Sequence, residues 1–165
     1  MAQTAFQSNP VQISGELPAV GEKLPAFEIT AGDLSTKSNA DFAGKQVIFN
    51  IFPSVDTGVC AASVRRFNEE AAALDNTVVV NVSRDLPFAL ERFCAAEGIA
   101  NVEVASDFRH GFGPVFGVEQ QDGPLAGLLA RAVVVVDAEG VVKYQQLVDE
   151  ITTEPDYEAA LAAAR

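Results

Sequence analysis

Three short stretches of the chain are almost wholly apolar. Gln46–Phe52 reads Gln-Val-Ile-Phe-Asn-Ile-Phe, Thr77–Val82 reads Thr-Val-Val-Val-Asn-Val, and Ala130–Val136 is apolar apart from Arg131. Runs of this length and kind suit strands covered on both faces. Between the first two, Cys60, Val64, Phe67, Ala71 and Leu74 fall at i, i+4, i+7, i+11 and i+14, which predicts a helix over Val59–Leu74. Leu86, Leu90 and Phe93 form a second helical stripe. Asp85 is its candidate N-cap, Pro87 is tolerated in its first turn and Gly98 ends it.

Weaker signals fill in the rest. Thr4–Phe6 and Val11–Ser14 flank Ser-Asn-Pro and predict a small hairpin. Gly15–Pro25 reads as loop, Phe27–Thr30 as a short strand, Ala31-Gly32-Asp33 as a turn, and Ser38–Phe42 as one helical turn before Gly44. Val102–Ala105 is a short strand and Phe108–Phe116 a glycine-broken helix. Asp122-Gly-Pro is a turn, and Ala138-Glu-Gly turns the third apolar strand into Val141–Leu147. Glu154–Ala164 is a terminal helix. The succession of strand, helix, strand, helix, strand, hairpin and helix gives an α/β fold. A tight turn joins the last two strands, so the sheet is mixed. The expected architecture is thioredoxin-like, with a mixed central sheet flanked by helices and an N-terminal β-hairpin, in a single domain spanning residues 1–165.

Composition narrows the classes of function. The 165 residues are 48% hydrophobic and 21% charged, which suits one folded domain. A net charge of −12 argues against a nucleic-acid partner and against an anionic membrane surface. No apolar stretch approaches the roughly 20 residues of a membrane span, and no signal peptide is visible, so the expected compartment is the cytoplasm. The chain holds two cysteines, Cys60 and Cys94, and one histidine, His110. Three soft ligands at no recognisable spacing make a metal site a weak reading.

Cys60 is placed just past a buried strand and in the first turn of the next helix. Free backbone N–H groups and the positive end of the helix dipole favour a thiolate there. A buried core cysteine is the competing reading, since its helical phase points inward with Val64 and Phe67. Its surroundings are more specific. Pro53, Thr57 and Cys60 stand at the spacing Pro-x-x-x-Thr-x-x-Cys within Phe52–Cys60. This pattern resembles the active site of the peroxiredoxins. Arg84–Cys94 is similar to the resolving-cysteine helix of one subfamily, the bacterial thiol peroxidases, and Gly123–Arg131 resembles a third segment of it. The resemblance runs from about Leu17 to the C-terminus, and the N-terminal hairpin fits it. One departure is Gly58, where many peroxiredoxins carry a second proline. Glycine would loosen the loop, or the exchange is a neutral one at a turn.

The resemblance implies a thiol peroxidase. Cys60 would be the peroxidatic nucleophile and Cys94 the resolving thiol that closes an intramolecular disulfide, with thioredoxin as the reductant. It also implies a preference for organic hydroperoxides over hydrogen peroxide, and a homodimer packed through the active-site face. With no Gly-rich phosphate loop, Rossmann fingerprint or haem motif in the chain, no cofactor is expected. Ionising a thiol of ordinary pKa, about 8.5, gains only roughly 30-fold at neutral pH. A hydrogen-bonding apparatus for the peroxide is therefore needed as well. Thr57 is a candidate to accept from the peroxide and donate to sulfur or oxygen, and Arg131 to stabilise the thiolate and the leaving oxygen. Pro53 would shield the sulfur from water. Phe49, Phe52, Phe88, Phe93, Phe112 and Phe116 could form an apolar pocket mouth, although core positions suit most of them. A Cys–His pair using His110 is conceivable, but a surface histidine fits that glycine-broken segment better. The alternatives are a thioredoxin-fold thiol–disulfide exchange protein and a non-enzymatic peroxide sensor. Ser63, three residues beyond Cys60, leaves no Cys-x-x-Cys for the first of these.

Overall fold

A computed structural model describes residues 2–109 and 111–165. His110 lies outside the described residues. The apolar runs form the middle of a seven-stranded mixed sheet. Its strands are β3 (Glu28–Ala31), β4 (Thr36–Ser38), β5 (Gln46–Ile51), β6 (Thr77–Ser83), β7 (Glu103–Ser106), β8 (Ala132–Val136) and β9 (Val142–Leu147), in spatial order β4-β3-β7-β6-β5-β8-β9. The β5–β6 and β6–β7 pairs are parallel, and every other neighbouring pair is antiparallel. The helices are α1 (Gly58–Ala71), α2 (Pro87–Glu97), α3 (Phe112–Phe116) and α4 (Tyr157–Ala164).

Alternate residues of β5 feed two cores, as the period of a strand requires. Val47, Phe49 and Ile51 pack with Phe27, Phe42, Phe112, Phe116 and Val134 on one face. Ile48 packs on the other, with Phe67 of α1 and Leu161 of α4. A further cluster continues that second face at the carboxyl end of β5, where Phe52, Cys60 and Val64 meet Leu90 and Cys94 of α2. Fully burying a side chain such as Phe67 contributes roughly 1.5–3 kcal/mol, so these layers fix where α1 and α2 lie.

Several local expectations need correction. The hairpin β1 (Gln3–Phe6) and β2 (Asn9–Gln12) turns at Gln7-Ser8, both with positive φ, and Pro10 sits within the second strand. The twist of a two-residue hairpin requires such φ values, and they outweigh the Ser-Asn-Pro turn signal. β4 was not expected, because its three residues Thr-Lys-Ser carry no apolar pattern. Asp85 does not cap α2. The N-cap is Leu86, which has no side-chain capping bond, and the Asp85 carboxylate reaches another segment. Among the described residues, no helix is long and apolar enough to cross a membrane.

Gly58 is the first residue of α1, and a Cβ added there would meet nothing within 4 Å. Thr57 before it has φ −102° and ψ 145°, the region a following proline demands. Proline is at home at the first helical position, where the N–H has no intrahelical partner. Gly58→Pro should therefore raise unfolding stability by about 0.4–1 kcal/mol in denaturant titration. A loss of stability would show that the loop needs glycine here.

Candidate active site

Two elements deliver the central pair. β5 ends at Ile51, Pro53 follows buried, and residues 54–57 turn the chain into α1. The Thr57 N–H and hydroxyl both donate to the Ser54 carbonyl, at 3.2 and 3.0 Å, and close that turn. Cys60 is the third residue of α1 and is 0% exposed. Arg131 stands immediately before β8, paired in the sheet beside β5, and is 2% exposed. Its Nη2 donates to Cys60 Sγ at 3.3 Å, and its Nε donates to the Ile151 carbonyl at 2.8 Å. Its Nη1 is buried with no partner, and among the described residues no carboxylate lies within ion-pair distance of it.

A buried cation without a counter-anion is costly unless an anion is meant to complete it. The space for one is present. A pocket of about 220 Å³ is lined by Phe6, Pro53, Thr57, Gly58, Val59, Leu125, Arg131, Ile151 and Thr152. Pro53, Thr57 and Arg131 line this pocket, and Cys60 lies behind it, joined to it through Arg131. The rim is not the one expected. Phe49, Phe112 and Phe116 lie in the core of the opposite sheet face, Phe88 is exposed, and Phe52 and Phe93 pack in the cluster around Cys60 and Cys94. Phe6, Leu125 and Ile151 supply the apolar wall instead. They come from three remote segments, so no local pattern announces them. Thr57 also departs from expectation, because its hydroxyl proton is spent on the Ser54 carbonyl rather than pointed at sulfur or substrate.

Beneath Cys60 runs a buried polar chain absent from the sequence reading. Asn50 Nδ2 donates to Ser63 Oγ at 3.1 Å and to Asn81 Oδ1 at 2.9 Å, and Ser63 Oγ donates to the Cys60 carbonyl at 2.7 Å. The two asparagines face each other across parallel β5 and β6. Their signal was visible as the polar residue that interrupts the interior of each apolar run. The chain holds the first turn of α1 against the sheet.

Cys94 lies on α2 and is 9% exposed, and both cysteines are free thiols. The two share one apolar cluster with Phe52, Val64, Leu90 and Val104. Burial, and then the neighbouring Glu91 carboxylate, push the Cys94 thiol from 9.0 up to about 11. The sign of the linkage follows. In the unfolded chain the thiol loses its proton first, so the unfolded state binds fewer protons between these values. This contribution to stability is complete below pH 9.0 and is lost as pH rises toward about 11. Unfolding stability of the wild type relative to Cys94→Ser should therefore fall as pH rises across that interval. A difference independent of pH would contradict the shift.

Comparison with known proteins agrees with this geometry. Residues 19–161 match the family model described as Redoxin. The thiol peroxidase of Corynebacterium glutamicum is 59% identical over 163 residues, 99% of both chains. That of Mycobacterium tuberculosis is also 59% identical, over 99% of this chain and 98% of its own. The crystal structure of a peroxiredoxin-like protein from Aquifex aeolicus superposes with a TM-score of 0.92 at 40% identity, covering 99% of this chain and 96% of that one. The chain belongs to the Redoxin family and, within it, to the thiol peroxidases, a class of peroxiredoxin enzymes.

Proposed function

We propose that the protein reduces hydroperoxides through Cys60, with Cys94 resolving the product and an external dithiol completing the cycle. The observation that carries this reading is Arg131, a buried cation that touches Cys60 Sγ and leaves Nη1 without a partner beside an apolar pocket. One nitrogen favours negative charge on sulfur, and the other is placed for the oxygen that leaves. Such preorganised donors act strongly where water is excluded.

The chemistry balances as follows. The Cys60 thiolate attacks one peroxide oxygen, the O–O bond breaks, and the leaving alkoxide takes a proton to become an alcohol. Cys60 becomes a sulfenic acid. Thr57, whose own proton is held by Ser54, offers oxygen lone pairs to accept from the peroxide O–H. Pro53 keeps bulk water from the sulfur. Cys94 then attacks the sulfenic sulfur, a Cys60–Cys94 disulfide forms and water leaves. With both cysteines in that bond, reduction needs a dithiol from outside the chain, and thioredoxin is the proposed donor. The apolar wall of Phe6, Leu125 and Ile151 supports organic hydroperoxides as the preferred substrates. Exposed Leu86 and Phe88, beside the residue that bonds the Ser54 turn, support a homodimer joined over the active-site face. A thiol-driven cycle of this kind fits a cytoplasmic setting.

One observation disfavours a Cys-x-x-Cys exchange protein: Ser63 stands three residues beyond Cys60, and its hydroxyl is bonded to the Cys60 carbonyl and Asn50. Turnover separates an enzyme from a peroxide sensor. Reduced protein mixed with one equivalent of cumene hydroperoxide, quenched with an alkylating agent over milliseconds to seconds, should lose both thiols into a Cys60–Cys94 bond. Cys94→Ser should stop at the Cys60 sulfenic acid. Thiols that stay alkylatable for minutes would overturn the reading.

A further inference from the structure

The strongest unassigned interaction is the one Asp85 makes in place of a helix cap. Its Oδ1 accepts from Ser54 Oγ at 2.7 Å, and its Oδ2 accepts from the Val55 N–H at 3.0 Å and from Ser83 Oγ at 2.6 Å. Ser54 is the residue whose carbonyl holds Thr57 and whose hydroxyl accepts from the Asp56 N–H at 3.1 Å. Asp85 itself opens the segment leading into α2, the helix of Cys94, and its own carbonyl accepts from Ser106 Oγ at 2.5 Å. One carboxylate therefore pins the turn before Cys60 to the root of the Cys94 helix.

We propose that Asp85 is a positioning residue that latches the two cysteine-bearing segments together and sets when Cys94 is released to resolve Cys60. The inference rests on the proposed roles of the two cysteines and adds a residue to them. Three further observations support a latch. All three bonds go to a charged acceptor, which makes them among the stronger protein hydrogen bonds. Two of them cross between segments about 30 residues apart in sequence, as the partner separations show. And α2 forgoes a side-chain cap, since its N-cap is Leu86. A helix without that cap frays more readily from its first turn. With the latch closed, Thr57 and Cys60 are held for peroxide capture, and Cys94 stays buried as a thiol. With it open, the first turns of α1 and α2 are freed together, which disulfide closure needs if the sulfurs are to meet within bonding geometry.

The latch makes a prediction of opposite sign for the two chemical steps. Asp85→Asn keeps the shape but removes the charge, leaving one amide oxygen for the Val55 N–H and Ser83 hydroxyl and turning an NH2 to Ser54 Oγ. Cys60 oxidation should slow by about threefold, as the Thr57 turn loosens. Disulfide closure after oxidation should speed up by about tenfold, the size of effect expected when one charge-assisted hydrogen bond no longer opposes opening. Overoxidation of Cys60 to sulfinic acid under excess peroxide should fall in parallel. Ser54→Ala, which removes a single bond from the latch, should shift both steps in the same directions by a smaller factor. It also serves if Asp85→Asn does not fold. Leu161→Ala, in the core beneath α4, is the control for general destabilisation and should leave the ratio of the two rates unchanged. The two steps are followed by rapid quench, thiol alkylation and peptide mass mapping.

Equal rates in wild type and both latch variants would overturn the inference while leaving the peroxidase reading intact. The same opposite shifts in Leu161→Ala would also overturn it, by reducing Asp85 to a stabilising contact. Absence of the Cys60–Cys94 disulfide in the wild type would remove the resolving role and the latch with it.

Discussion

The structure turns on a guanidinium kept out of water that, among the described residues, has no carboxylate beside it and touches the Cys60 sulfur. Arg131 is 2% exposed, and its fixed partners are the Ile151 carbonyl and Cys60 Sγ. The penalty for burying a charge in this way is several kcal/mol, far more than one neutral carbonyl returns. In the proposed function, the charge that develops as sulfur attacks a peroxide would complete the guanidinium's set of partners. The fold's other features can be ordered by how they serve this pair. β5 and β8 lie side by side and set the two residues at one end of the sheet. The segment around Ile151 is held in turn by the N-terminal hairpin, since the Ile151 N–H donates to the Ala5 carbonyl and Thr4 Oγ donates to the Val148 carbonyl. Glu150 accepts from Ser8 and Gln7 of the same hairpin, and backbone donors from Thr152 and Ser8 hold its carboxyl down at about 2. The hairpin thus braces the carbonyl that aims Arg131, and it gives Phe6 to the pocket.

Cys60 is fixed from below and from the side by polar groups that an apolar core would not need. The Asn50–Ser63 chain ties its carbonyl to the sheet, and the Asp85 carboxylate ties the preceding turn to α2. Asn50 Oδ1 has no partner, yet the remaining bonds tie the Cys60 carbonyl through Ser63 and Asn50 to Asn81. Cys94, kept protonated by burial, waits in the same apolar cluster.

Much of this was legible in the chain. The three apolar runs became the adjacent strands β8, β5 and β6, and the spacing from Cys60 to Phe67 became the buried face of α1. Pro53, Thr57, Cys60 and Arg131 were found by motif, and the structure gathers them around one pocket or one sulfur. What stayed hidden had no local pattern. Phe6, Leu125 and Ile151 meet only because the hairpin folds over the end of the sheet. Asp85 looked like a cap because its position along the helix suits one, yet a charge-assisted bond to Ser54 and Val55 outweighs the roughly 1 kcal/mol of capping. Phe49, Phe52, Phe112 and Phe116 are core, the reading that suited most of the six phenylalanines, because aromatic content alone does not single out a pocket mouth.

The central claim is that the geometry of Arg131, beyond its charge, drives the attack on peroxide. Arg131→Lys retains the charge but cannot reach sulfur, the Ile151 carbonyl and an oxygen at once. In a Cys94→Ser background, the second-order rate of Cys60 oxidation by cumene hydroperoxide tests it directly. The rate should fall about 100-fold or more with the fold retained, the usual cost of losing one preorganised donor. A rate unchanged by the substitution would contradict it.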